Sequence, residues 1–328
     1  MNKNLSLGKK VEKIFTNKWI QILFSLILLV SLIFYLRSID QDIQDLFILK
    51  NKKYFVIAFP FVIISLLSHS LAWRLIINHF DNELGFWKSI FVYYLSNLSR
   101  YIPGNYWYIF IRSTLGVKHG IDLKTGFRGT GLELFLNAGI AGIFVLLGII
   151  LNIIRLESNQ LIWLALFFFI GLLLLLALYF IRKQGGSPED DNGRKSSFID
   201  RVKEEIIELR SFEIKEMMKI VLLLSSTWIS QGFSFYFILS VWNETSITNY
   251  FLIMFSYVTA WFLGFINPLA QNGLGVREAV FMVTINRIYP MQFIFGAGIA
   301  MRLLGLIGEI FLVGLSWLFT REKSSTIN

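Results

Sequence analysis

The chain has 328 residues, 55% hydrophobic and only 16% charged, with a formal net charge of +9. That charged share lies well below the roughly 25% of soluble domains, which excludes an ordinary soluble domain, and the absence of cysteine excludes disulfides and thiolate metal sites. The basic balance suits anionic lipid headgroups and also follows from cytoplasmic loops that retain Lys and Arg, so it is not read as a nucleic-acid surface.

In chain order, apolar runs read as spans over Trp19–Leu36, Tyr54–Ile77, Phe86–Ser99, Phe127–Ile154, Leu161–Ile181, Ile220–Trp242, Tyr250–Ile266 and Phe293–Phe319. Several exceed the ~18 residues expected of a membrane helix. Two further stretches, Tyr106–Val117 and Ala279–Ile288, are too short to cross upright at ~1.5 Å per residue. No small-residue cleavage site follows Trp19–Leu36, so it is expected to stay as a first helix. The run from Gly185 through Pro188 to Gly193 reads as a flexible loop. After it, Ile199, Val202, Ile206 and Leu209 recur at helical spacing among charges. That is an amphipathic helix, lying on the membrane surface or packed on the bundle. The expectation is an all-α polytopic membrane helical bundle, one integral membrane domain over residues 1–328. Its pseudo-repeat halves, 19–181 and 220–319, are joined by a cytoplasmic linker and amphipathic helix over 182–216.

Charge bias sets the orientation. Lys3, Lys9, Lys10, Lys13 and Lys18 precede the first span, and nine Lys or Arg fall in 182–219, so both segments are expected in the cytoplasm. An even number of crossings must separate them, although five long spans intervene. Pairing Phe86–Ser99 with Tyr106–Val117 as a re-entrant hairpin restores the parity. In the second half, 243–249 carries no Lys or Arg and reads as external. The tail, with Arg321 and Lys323, reads as internal, and Tyr250–Ile266 with Ala279–Ile288 becomes a second hairpin. The eight spans thus resolve into six full crossings and two re-entrant hairpins, in a multi-pass protein of the cell membrane with both termini cytoplasmic.

Both hairpins turn at a Pro/Gly break with an arginine nine residues beyond the proline: Pro103, Gly104 and Arg112 in the first, Pro268, Gly273, Gly275 and Arg277 in the second. Such breaks survive in a membrane only where protein or a wet cavity covers the freed backbone groups. A matched pair of interrupted segments, one per half, points to a transport site. Charges in hydrocarbon cost about 2.5–3.5 kcal/mol on insertion scales and usually face a bundle interior. The candidates are Arg74, Arg100, Arg112, Glu133, Arg277, Glu278, Arg302 and Glu309. Arg302 and Glu309, about two turns apart, share one face of the last helix and are placed to flank a common group. Glu133 needs a partner, and Arg112 or Arg277 can supply it. Arg277 and Glu278, adjacent on a helix, point apart. Arg74 is expected to snorkel to the headgroups.

Arginine forks match phosphate oxygens, and the half-helices after Gly104 and Gly275 are expected to aim free N–H groups at the breaks. Together they describe an anion-receptive pocket. Buried Arg–Glu pairs can equally brace helices without binding anything. Tyr106, Trp107 and Tyr108 fit a headgroup site or an interfacial belt. His69, His79 and His119 are too scattered for a metal site and read as lone interfacial residues. No Walker loop, nucleophile elbow or H-E-x-x-H motif occurs, so neither enzyme activity nor a cofactor is expected.

The stretch Arg100-Tyr101-Ile102-Pro103-Gly104-Asn105-Tyr106-Trp107 with Arg112 resembles the first block of the lysylphosphatidylglycerol synthase transmembrane-region family, also described as flippase-like. Asn267-Pro268 through Gly273-Leu274-Gly275-Val276-Arg277-Glu278 resembles its second block. Glu133, Arg302 and Glu309 resemble its acidic and last-helix residues. The resemblance implies a domain that moves lipids or lipid-linked groups between leaflets. The soluble aminoacyl transferase that follows it in the synthases is not expected here. The expected function is a translocator of an anionic lipid or polyprenyl-phosphate-linked substrate, with Arg112 and Arg277 on the headgroup and Glu133 and Glu309 pairing with arginines in the empty state. The alternatives are a membrane partner of a separate glycosyltransferase or synthase, or an enzyme acting on a lipid phosphate with Glu133 or Glu278 as base.

Overall fold

A computed structural model describes residues 49–80, 83–101, 107–154, 212–267 and 273–322. Every regular element among them is helical: α1 (Lys53–His79), α2 (Phe86–Asn97), α3 (Trp107–Val117), α4 (Leu123–Ile150), α5 (Ile214–Leu239), α6 (Tyr250–Ile266), α7 (Val276–Ile285) and α8 (Met291–Glu322), with 3-10 turns over Leu98–Tyr101 and Ile247–Asn249. The spans Trp19–Leu36 and Leu161–Ile181, the linker, and the amphipathic segment as far as residue 211 lie outside the described residues.

The surface is apolar where water would demand charge. Ile143, Leu146 and Ile150 on α4, and Leu303, Ile307 and Ile310 on α8, point outward, while Arg112, Glu133, Glu278 and Glu309 are buried. Apolar outside and charged inside is the arrangement a bilayer imposes. α1, α4, α5, α8 and the stretch Ile247–Ile266 are each long and apolar enough to cross.

The first broken pair fits the expectation. α2 and α3 have 12 and 11 residues, and at ~1.5 Å per residue neither covers the ~30 Å hydrocarbon core. They pack on each other and on α1, α4 and α8. The second pair departs from it. α7, with 10 residues, is short, but α6 runs on from a 3-10 turn capped by Ser246, whose Oγ accepts from Thr248 N at 3.4 Å. The continuous stretch is therefore long enough to span, and only α7 is a half-helix. Boundaries move for a similar reason elsewhere. α5 starts at Ile214, six residues before its apolar run, because Lys215, Glu216 and Lys219 are helical without being apolar. α4 starts at Leu123 because Asp122 caps it, accepting from Lys124 N at 2.9 Å and Thr125 N at 3.3 Å.

The centre of the bundle is the contact of α1 with α5. Lipid tails give helices no hydrophobic reason to associate, so small residues and hydroxyls do the joining. Ser226 Oγ donates to Ser68 Oγ at 2.8 Å, and Gln231 Nε2 donates to Ser65 Oγ at 2.7 Å. The α2–α3 pair packs against α1, α4 and α8, and the α6–α7 pair against α4, α5 and α8. α4 and α8 thus touch both pairs.

The second break is shaped by glycine. Gly273 and Gly275 have φ of 67° and 80°, the left-handed region that other residues enter at about 1–2 kcal/mol. A Cβ on Gly273 would lie 2.9 Å from Arg277 Nε and 3.0 Å from Gly264 Cα. Gly264 and Gly273 therefore meet backbone to backbone, and the Arg277 side chain lies against both. Gly273→Ala is expected to destabilise the protein by at least about 1–2 kcal/mol from backbone strain alone. Gly131→Ala, on an open helical face, should be neutral or stabilising. Melting temperatures in detergent compare the two; a Gly273→Ala variant as stable as Gly131→Ala contradicts the strained notch.

Candidate functional site

The broken segments meet around one cavity of about 220 Å³. Arg100, Arg112, Arg277 and Arg302 line it, together with Glu133, Glu278 and Glu309. Of the sequence candidates, Gly273 contributes its carbonyl beside the cavity, while Pro103, Gly104 and Pro268 lie outside the described residues.

Arg112, on α3, is 1% exposed, as is Glu133 on α4. Its Nη1 donates to Glu133 Oε2 at 3.3 Å, Nη2 to Asn97 Oδ1 at 2.6 Å and Nε to Ser96 Oγ at 3.2 Å. Its Cζ lies 3.7 Å from the Tyr93 ring centroid. The guanidinium is committed to protein partners on three edges and to an aromatic face besides. Of the two arginines considered for Glu133, Arg112 is the one that pairs. The pairing is the one expected of the empty state, and through it Arg112 cross-links α2, α3 and α4. On the other side of Glu133, Tyr93 Oη donates to Oε1 at 3.1 Å, and His69 Nδ1 lies 3.1 Å from that hydroxyl and 3.4 Å from the carboxylate.

The remaining pairs also cross helices. Arg302, on α8, donates from Nε and Nη2 to Glu278 Oε1 at 3.0 Å and 2.9 Å, and from Nη2 to the Gly273 carbonyl at 3.3 Å. The other Glu278 oxygen accepts from Gly275 N at 2.8 Å. At this break one of the N–H groups expected to be free, that of Gly275, is taken by the chain's own carboxylate, the reciprocal arm of a capping box. Arg100 pairs with Glu309, which is fully buried on α8. Arg302 and Glu309 do line the same cavity from one face of α8, but each faces a partner on a different broken segment.

Every carboxylate lining the cavity is therefore matched to an arginine other than Arg277. The Arg277 side chain is half-buried, and its Nε is buried with no hydrogen-bond partner among the described residues. No ion pair reaches it among those residues. The cavity wall carries one guanidinium more than its carboxylates neutralise.

Several lining residues escaped sequence reading. His69 is part of the Glu133 network and not a lone interfacial residue. Asn97, Tyr93, Trp228, Gln231, Tyr257 and Trp261 also line the cavity. One signal was available: Ser65 and His69 on α1, Asn137 with Glu133 on α4, and Gln231 on α5 are polar positions inside apolar runs. Tyr108 lines the cavity and Trp107 is half exposed, while Tyr106 lies outside the described residues. Arg74 does not snorkel: its Nε donates to the Leu84 carbonyl at 2.7 Å, pinning the connection to α2. His79 stacks on Phe212 at 3.7 Å and meets Glu216 at 3.1 Å. His119, in the turn after α3, is held below the usual imidazole range by partial burial, with Lys88 and Lys118 adding to it.

Because Arg112 and Glu133 are both buried, removing one strands the other, at about 3–5 kcal/mol. Arg112→Leu should lower the melting temperature in detergent more than the double change Arg112→Leu with Glu133→Leu. Additive losses would mean the two residues act independently.

No curated protein matches the chain. The family model described as lysylphosphatidylglycerol synthase TM region matches residues 18–314, from the first apolar run nearly to the end of α8 and across both breaks. The chain is a membrane protein of the lysylphosphatidylglycerol synthase TM region family, and so is tied to lipid metabolism or translocation.

Proposed function

We propose that the protein translocates an anionic lipid headgroup, free or polyprenyl-phosphate-linked, with Arg277 as its anchor. The observation that carries this reading is the surplus guanidinium: three of the four arginines lining the cavity have carboxylate partners, and Arg277 has none among the described residues. An uncompensated cation at membrane depth is costly unless an anion visits it. A phosphate also matches the planar fork in geometry. The family supports the lipid as the source of that phosphate.

The remaining residues take supporting parts. The Arg302–Glu278 pair fixes the turn from which Arg277 projects. The Arg112–Glu133 and Arg100–Glu309 pairs keep the opposite wall polar without offering a competing free charge. The acyl or prenyl tail stays in lipid while the head passes through the cavity. Nothing in this arrangement requires a bond to be broken in the substrate, and the protein acts as a carrier and not as a catalyst.

The test is translocation of fluorescent phosphatidylglycerol in vesicles reconstituted with the full chain. Arg277→Gln should reduce the rate at least about tenfold, the loss expected from one charge-assisted phosphate contact. Arg277→Lys should recover only part of it, because a point charge lacks the fork. An Arg277→Gln protein that melts normally and translocates at the original rate would sink the assignment.

A further inference from the structure

The cavity contains a second set of unmet polar atoms, on α4 and α5. Asn137 Oδ1, Gln231 Oε1 and Trp228 Nε1 are all buried without a hydrogen-bond partner among the described residues. Asn137 is 1% exposed and Trp228 2%, and all three side chains line the cavity. Each unmet group costs free energy unless something else bonds it. Their placement is local. Gln231 follows Trp228 by three residues on α5, so the two share a face. The Gln231 amide nitrogen is fixed on Ser65 Oγ at 2.7 Å, which leaves its carbonyl as the unmet end. Asn137 stands one turn beyond Glu133 on α4. The Trp228 ring meets Trp261 of α6 edge-on at 4.7 Å, and Trp261 stacks on Phe265 at 5.0 Å.

This corner adjoins the anchor. Trp261 precedes Gly264 by three residues, about 4.5 Å of helix rise, and Gly264 is the residue against which Arg277 lies. A phosphate on Arg277 would therefore carry its substituent towards two amides, an indole N–H and an aromatic wall.

The chemistry of the unmet atoms selects the substituent. Two are acceptors as they stand and one is a donor. A hydroxyl has one proton to donate and lone pairs to accept, so two neighbouring hydroxyls meet both acceptors and the indole N–H, and they satisfy Asn137 whichever way the amide is turned. An ammonium only donates. It would leave the indole N–H unmet and would enter a wall that already carries excess positive charge. Flat aromatic faces beside amides suit the C–H face of a sugar or polyol.

Resting on the anion-carrier reading above, we infer that the headgroup is a phosphate-linked polyol or sugar: Arg277 takes the phosphate, and Asn137, Gln231 and Trp228 read the hydroxyls against the Trp228–Trp261 wall.

The experiment compares dioctanoyl-phosphatidylglycerol with dioctanoyl-phosphatidylmethanol, which has the same phosphodiester and charge but no hydroxyl, binding to the full chain in detergent by calorimetry. The glycerol lipid should bind at least about tenfold more tightly, as one or two net hydrogen bonds imply. Asn137→Leu should shrink that ratio by weakening the glycerol lipid more than phosphatidylmethanol. Trp228→Phe removes the N–H together with part of the ring, and in protein that still melts normally it should also shrink the ratio. Equal affinity for the two lipids, with both lost in Arg277→Gln, overturns the hydroxyl site and leaves the anchor standing. No binding of either lipid overturns the carrier reading instead. Tightest binding by dioctanoyl-phosphatidylethanolamine, lost in Asn137→Leu, overturns the polyol in favour of an ammonium. Glycerophosphoglycerol, the same head without acyl chains, should bind at least about tenfold more weakly; equal affinity overturns the lipid as its source.

Discussion

Hydrocarbon does not tolerate an unmatched charge, and most of what is distinctive in this protein follows from how its arginines are matched. α2, α3 and α7 are too short to be stable crossings by themselves. Each broken segment is fastened to a longer helix by an Arg–Glu pair: α3 to α4 through Arg112 and Glu133, α7 to α8 through Glu278 and Arg302, and the turn after α2 to α8 through Arg100 and Glu309. Continuum and mutational experience says that well-packed apolar side chains can replace such pairs at little cost in stability. Apolar replacements would not, however, leave a polar cavity between the broken segments. The pairs both hold the architecture and make its interior polar.

Packing supports the same end. The α1–α5 contact is joined by Ser65, Ser68, Ser226 and Gln231, and two of these, Ser65 and Gln231, also bring polar groups to the cavity. The Gly264–Gly273 contact lets α6 and the second break come within backbone distance. That close approach is what puts the Arg277 side chain beside the aromatic corner of α6, away from Glu278, its neighbour in sequence.

The bundle was legible because its signals are long. Apolar runs near Tyr54–Ile77 and Phe293–Phe319 differ from α1 and α8 by only a few residues at each end. Helix starts were less legible wherever a cap or a charged first turn precedes the apolar run, as at Asp122 and Lys215. Seven of the eight charged candidates, all but Arg74, do gather at one cavity, since membrane-depth charges have few other places to go. Their pairing was not legible. Arg302 and Glu309 look like one unit when only their own helix is considered, yet their partners come from two different breaks. The neutral residues were missed for a related reason. A histidine, an asparagine or an indole inside an apolar run is unremarkable until several of them face one space.

Glu278 divides its two oxygens between tasks: one caps the first turn of α7, the other holds Arg302 of α8. Local helix order and long-range charge pairing thus hang on a single side chain. Any event that draws this carboxylate away, a competing cation or a shift of the loop, unwinds the start of a half-helix and releases a second guanidinium into the crevice in the same stroke. The break behaves as a clasp with one pin.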